Sequence, residues 1–147
     1  MPAFPQRHAF LFRAVLFALV GLVSLSGANA RAADPEPNCA IQEGPCTLSA
    51  GNRTVTLNIL PKPVQAMQEL TFRVELSGEP PSDPPVIDLD MPGMEMGPNQ
   101  VRTEPVNATV FQGTGVIVRC PSGKRLWSAT VILSPTSKAK FLFRVRY

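Results

Sequence analysis

An all-β fold is predicted for this chain: an immunoglobulin-like, two-sheet antiparallel β-sandwich of about seven strands. Three observations predict it. Apolar and polar residues alternate with period two in four runs between residues 53 and 147. Clusters of turn-forming residues break that alternation at short intervals. No segment carries a convincing helical period. One polar face per strand further implies antiparallel sheets with one solvated side each.

The elements follow in order. A short strand near 46–49 meets the turn Ala50-Gly51-Asn52, and a second strand covers 53–60, where Val55, Leu57 and Ile59 alternate with Thr54, Thr56 and Asn58. Pro61 and Pro63 mark residues 61–69 as a connection. Leu70, Phe72, Val74 and Leu76 then alternate with Thr71, Arg73 and Glu75. Residues 86–90 and 110–119 are apolar, β-branched runs. Pro121-Ser122-Gly123-Lys124 is placed as a hairpin loop between strands at 114–120 and 126–133. In the latter strand Trp127, Ala129, Val131 and Leu133 share a face, and Trp127 is expected between the sheets. Ser134-Pro135-Thr136-Ser137 precedes the last strand, in which Phe141, Phe143, Val145 and Tyr147 alternate with Leu142, Arg144 and Arg146.

The N-terminus reads differently. Arg7, His8 and Arg13 precede an apolar run from Ala14 to Leu25, and small residues follow through Ala32. That order is the one of a secretory signal peptide, with small-x-small sites at Ala28-Asn29-Ala30 and Ala30-Arg31-Ala32. The apolar run is short for a membrane span, which takes about 20 residues. Residues 1–32 are therefore expected to be a cleaved signal peptide, residues 33–45 an extended Pro- and acid-rich lead-in, and 46–147 the sandwich. The expected location is periplasmic or secreted, with no stable membrane span after cleavage. No lipobox is evident, since Cys39 follows Glu36-Pro37-Asn38.

Removing the leader changes the chemistry available. It takes Arg7, Arg13 and Arg31 from the 14 Lys+Arg, which leaves a number equal to the 11 Asp+Glu and a net charge of zero. A neutral domain gives no electrostatic case for nucleic acid. The single histidine, His8, is lost as well. Ser-His-Asp and Cys-His catalysis and all His-containing metal sites go with it, so no enzyme is expected. Of the three cysteines, two should pair in an oxidising compartment. Cys39 and Cys46 are the cheapest to bring together, and Cys120 is an alternative partner for either. An unpaired third thiol is a buried inert residue or a soft ligand.

Residues 78–100 stand apart. Met91, Met94 and Met96 lie within six positions of a Pro/Gly-rich stretch, and the other methionine past the leader is Met67. Pro92 and Gly93 call for a tight turn between Met91 and Met94, and Met94 and Met96 share a face in extended chain. Thioethers are neutral and soft, so they bind Cu(I) well and hard divalent ions poorly. Met91, Met94 and Met96 are thus candidate copper ligands, with Met67 or a free cysteine as an additional one. Asp88, Asp90 and Glu95 lie beside them and could hold Cu(II) or orient the loop. The competing expectation is an adaptable apolar contact surface. The carboxylate pair Asp88/Asp90 has no nucleophile or base nearby to make it catalytic.

At these residues the chain resembles the FixH/YtkA-like group of bacterial envelope domains. The resemblance rests on Asp90-Met91-Pro92-Gly93-Met94-Glu95-Met96, on Phe111-Gln112-Gly113-Thr114-Gly115-Val116, and on Ser122-Gly123 followed by Leu126-Trp127, and covers about residues 53–147. It implies an immunoglobulin-like sandwich that carries or delivers copper outside the cytoplasm, through Met91, Met94 and Met96. An envelope copper acceptor, efflux protein or oxidase-assembly protein would be its partner. Copper carriers of that kind mix His with Met, whereas residues 33–147 hold no histidine.

Overall fold

The computed structural model describes residues 35–147, which belong to one compact unit, Asp34–Tyr147. The expected leader, residues 1–32, lies outside the described residues.

Nine strands form two antiparallel sheets, and no helix occurs among the described residues. The first sheet takes β1 (Cys46–Ala50), β2 (Arg53–Leu60), β3 (Glu69–Leu76), β7 (Val110–Val116) and β6 (Glu104–Pro105), in the order β1-β2-β3-β7-β6. The second takes β4 (Val86–Asp90), β5 (Gln100–Arg102), β8 (Leu126–Ser134) and β9 (Ser137–Arg144), in the order β5-β4-β8-β9. Leaving aside β1, these orders are those of an immunoglobulin sandwich, with β2-β3-β7-β6 on one side and β4-β8-β9 plus an added β5 on the other. The count rises above seven because β5 and β6 have only three and two residues.

Alternation makes the core. Val55, Leu57 and Ile59 on β2 and Leu70, Phe72 and Val74 on β3 are buried from one sheet; Ile87, Leu89, Trp127, Phe141 and Phe143 are buried from the other. Trp127 is fully enclosed among them, as its period-two position requires.

One connection differs from expectation. Residues 121–124 do not close a hairpin, because β7 and β8 belong to different sheets. β7 ends at Val116, and the chain through Ile117–Arg125 crosses from the first sheet to the second. Proline and glycine at a strand end signal a change of direction, and that signal is the same whether the chain returns beside its neighbour or changes sheet.

A second change of sheet explains the glycines of β7. Between β5 and β6 the chain passes from the second sheet to the first, and Thr103 Oγ1 pins the corner by donating to the Pro85 carbonyl at 2.5 Å. A Cβ on Gly113 would collide with the Arg102 carbonyl oxygen and approach Val101 Cγ1 to 2.9 Å, and one on Gly115 would approach Val101 Cγ2 to 2.5 Å. Glycine is what lets the corner lie against the strand.

The lead-in is fixed to the sandwich. Cys39 and Ile41 are buried, and a disulfide joins Cys39 to Cys46 at the start of β1. The backbone N–H groups of Asn38 and Cys39 donate to the Leu142 carbonyl, and Asn38 Oδ1 accepts from the Leu142 N–H at 2.7 Å. Asn38 Nδ2 and Gln42 Nε2 donate to the carbonyls of Lys140 and Arg144.

Candidate functional site

Antiparallel pairing gathers the site at one end of the sandwich. Asp90 at the end of β4 pairs with Ser128 near the start of β8, and Arg144 at the end of β9 pairs with Leu126. Glu69 at the start of β3 pairs with Val116 at the end of β7. The methionine loop, residues 91–99, therefore lies at the same end as the β7–β8 crossing, the β2–β3 connection and Tyr147. Asn99 Nδ2 donates to the Val116 carbonyl between the first two, and the Met67 N–H donates to the Ile117 carbonyl at 2.8 Å.

The expected turn is present: the Met94 N–H donates to the Met91 carbonyl at 3.1 Å, and Gly93 holds φ of 75°. That left-handed conformation suits glycine and few other residues. The turn does not present its methionines alike. Met91 continues the buried alternation of β4 and is 1% exposed, while Met94 is 37% exposed. Met96 is half-buried against the core. Met67, at φ of 63°, is 65% exposed and sits on the other connection.

The partner of Met94 comes from elsewhere in the chain. Its Sδ lies 3.5 Å from Sγ of Cys120, the free cysteine of the crossing, which is itself buried. The Ser122 hydroxyl is 2.9 Å from the same sulfur and holds the thiol below its ordinary range, against the opposing effect of burial; the backbone of Ser122 and Lys124 and the Lys124 charge add to the lowering. Tyr147 braces the crossing. Its hydroxyl accepts from the Cys120 N–H at 3.2 Å and donates to the Lys124 carbonyl. The guanidinium groups of Arg119 and Arg125 stand 5.4 and 5.7 Å from its ring centre.

The surface on the two sides of the turn differs in charge. On one side an open hollow is lined by Met94 and Met96 together with Asp88, Asp90 and Glu95. On the other, Pro92 borders a depression lined by Lys124, Arg125 and Arg144. Asp88 and Asp90 reach the hollow because they alternate with buried Ile87 and Leu89. Among the described residues, no three His, Cys, Asp or Glu side chains converge on a point that could hold a metal ion. The donors that do meet are soft sulfurs.

The acidic residues of the mouth adjoin the methionines in sequence, whereas the Met94–Cys120 contact is not visible in the linear spacing. The signal that carries the contact is strand order: β4 and β8 are neighbours in an immunoglobulin sandwich, so the loop after one adjoins the segment before the other. No helix among the described residues is long and apolar enough to cross a membrane. Comparison with protein-family models, curated proteins and solved structures returned no match.

Proposed function

We propose that this protein is a non-catalytic, exported Cu(I) carrier that holds the ion through the methionine loop and passes it to an envelope acceptor. The observation that carries the reading is the grouping of Met94 and Met96 in one hollow at the end of the sandwich, on a turn anchored by buried Met91. Thioether donors suit Cu(I), stay unprotonated, and release the ion readily when few in number. The resemblance of residues 53–147 to FixH/YtkA-like domains favours the same reading, and so does the secretory pattern of residues 1–32.

Anaerobic Cu(I) titration against a competing chromophoric chelator tests it. The wild-type chain should take up about one ion, and a Met91/Met94/Met96→Leu variant none. Leucine nearly conserves methionine volume, so the variant should remain folded. Stoichiometric binding by that variant overturns the assignment of the ion to the methionine loop.

A second reading has its own support. Met67, Met94, Val116 and Val118 are all substantially exposed at this one end. They would form an apolar contact for another envelope protein, such as an efflux or oxidase-assembly component, with no role for copper. Failure of the wild-type chain to bind Cu(I), with capture of a specific partner lost on Met94 substitution, selects this reading.

A further inference from the structure

The methionine loop and the β7–β8 crossing are separate in sequence, yet each contributes one sulfur to a contact of 3.5 Å. A thiol placed only to fill space needs no particular neighbours. Cys120 instead has a thioether, a hydroxyl and a cationic residue around it, on a segment held by Tyr147. Met94 opens onto the hollow bordered by three acidic side chains, which gives a cation a path to the Met94 thioether, and Cys120 lies directly behind that sulfur.

We propose that Cys120 and Met94 form a thiolate–thioether clamp for one soft monovalent cation, Cu(I) or Ag(I), entered from the hollow of Asp88, Asp90 and Glu95. Met96 lines that hollow and supplies the third donor. The clamp rests on the copper reading above and changes its ligand set: Cys120 is the anchor, and Met91 serves the core. Binding breaks the S–H bond of Cys120 and forms a sulfur–metal bond. One proton leaves to solvent and no electron moves. Two sulfurs about 2.3 Å from a common ion stand about 4 Å apart in a trigonal set, so the pair opens by about half an ångström. The rotatable, partly exposed Met94 side chain accommodates that change.

The thiolate distinguishes this clamp from thioether binding. Thioethers bind without losing a proton, whereas a thiol below its pKa releases about one proton per ion. The groups that bear on this equilibrium are Ser122 and Lys124 beside the sulfur, Arg119 and Arg125 on the crossing, Tyr147 packed against it, and Asp88, Asp90 and Glu95 at the mouth.

The test uses the purified full chain under anaerobic conditions, with Ag(I) and Cu(I) as probes. Proton release is read near pH 6, and affinity is read by chelator competition. Wild type should release about one proton per ion, and Cys120→Ser none, with affinity at least tenfold weaker. Met94→Leu should weaken binding comparably while keeping the proton release. In a chain labelled at its methionine methyls, Ag(I) should shift the Met94 signal and leave Met67 in place. If Cys120→Ser proves unfolded by circular dichroism, Cys120→Ala and Met94→Leu decide in its stead. Folded Cys120 variants that bind as wild type, or proton-free uptake by wild type, overturn the clamp and leave the methionine-loop reading standing. Absence of binding by wild type overturns both.

Discussion

At the scale of single residues, burial divides four methionines into different roles. Met91 fills core space, so Met91→Ala should cost about 2–5 kcal/mol in chemical denaturation, and Met91→Leu less than about 1.5 kcal/mol. Met94 is far more exposed, and its substitution should be read in binding and hardly in stability. As the anchor of the proposed clamp, Cys120 gives binding a pH dependence with a defined sign. In the proposed clamp the ion displaces a proton from a thiol whose pKa is already lowered, so affinity should rise about tenfold per pH unit below that pKa and level off above it. A flat profile across that range would remove the thiolate from the site. Gly113 is equally specific. Gly113→Ala should destabilise by about 1–3 kcal/mol, because a backbone carbonyl and not a mobile side chain blocks the added methyl.

At the scale of elements, the sequence is legible wherever one strand face is wet and the other dry. The strand at 53–60 and that at 86–90 fall where alternation and apolar character put them. The short β5 and β6 escape detection because two or three residues are too few to show a period. The crossing at 117–125 is mistaken for a hairpin loop because turn residues report a bend and not its destination. Of the candidate site, the turn at Met91–Met94 is legible from Pro92 and Gly93, whereas the approach of Cys120 to Met94 depends on pairing between β4 and β8. The disulfide belongs to this scale too. It closes a loop with a sequence separation of 7, so replacing both Cys39 and Cys46 with Ala should lower stability by about 2–3 kcal/mol on loop-entropy grounds.

Across the whole molecule, charge is arranged in sectors although the domain it decorates is neutral. Acidic side chains border the sulfur hollow, and basic ones border the far side of the same turn. Replacing Asp88, Asp90 and Glu95 by their amides should slow Ag(I) association by about tenfold at low ionic strength and flatten its salt dependence, measured by stopped flow in nitrate salts. An unchanged rate would mean that ions reach the sulfurs by another route. The clasp of Asn38 and Gln42 on β9 bears on solubility. A strand with bare outer amides and carbonyls is a template on which a second copy can pair. Here Lys140, Leu142 and Arg144 already have partners within the chain. A chain shortened to begin at Cys46 would lose that cover, and its tendency to self-associate should grow with concentration.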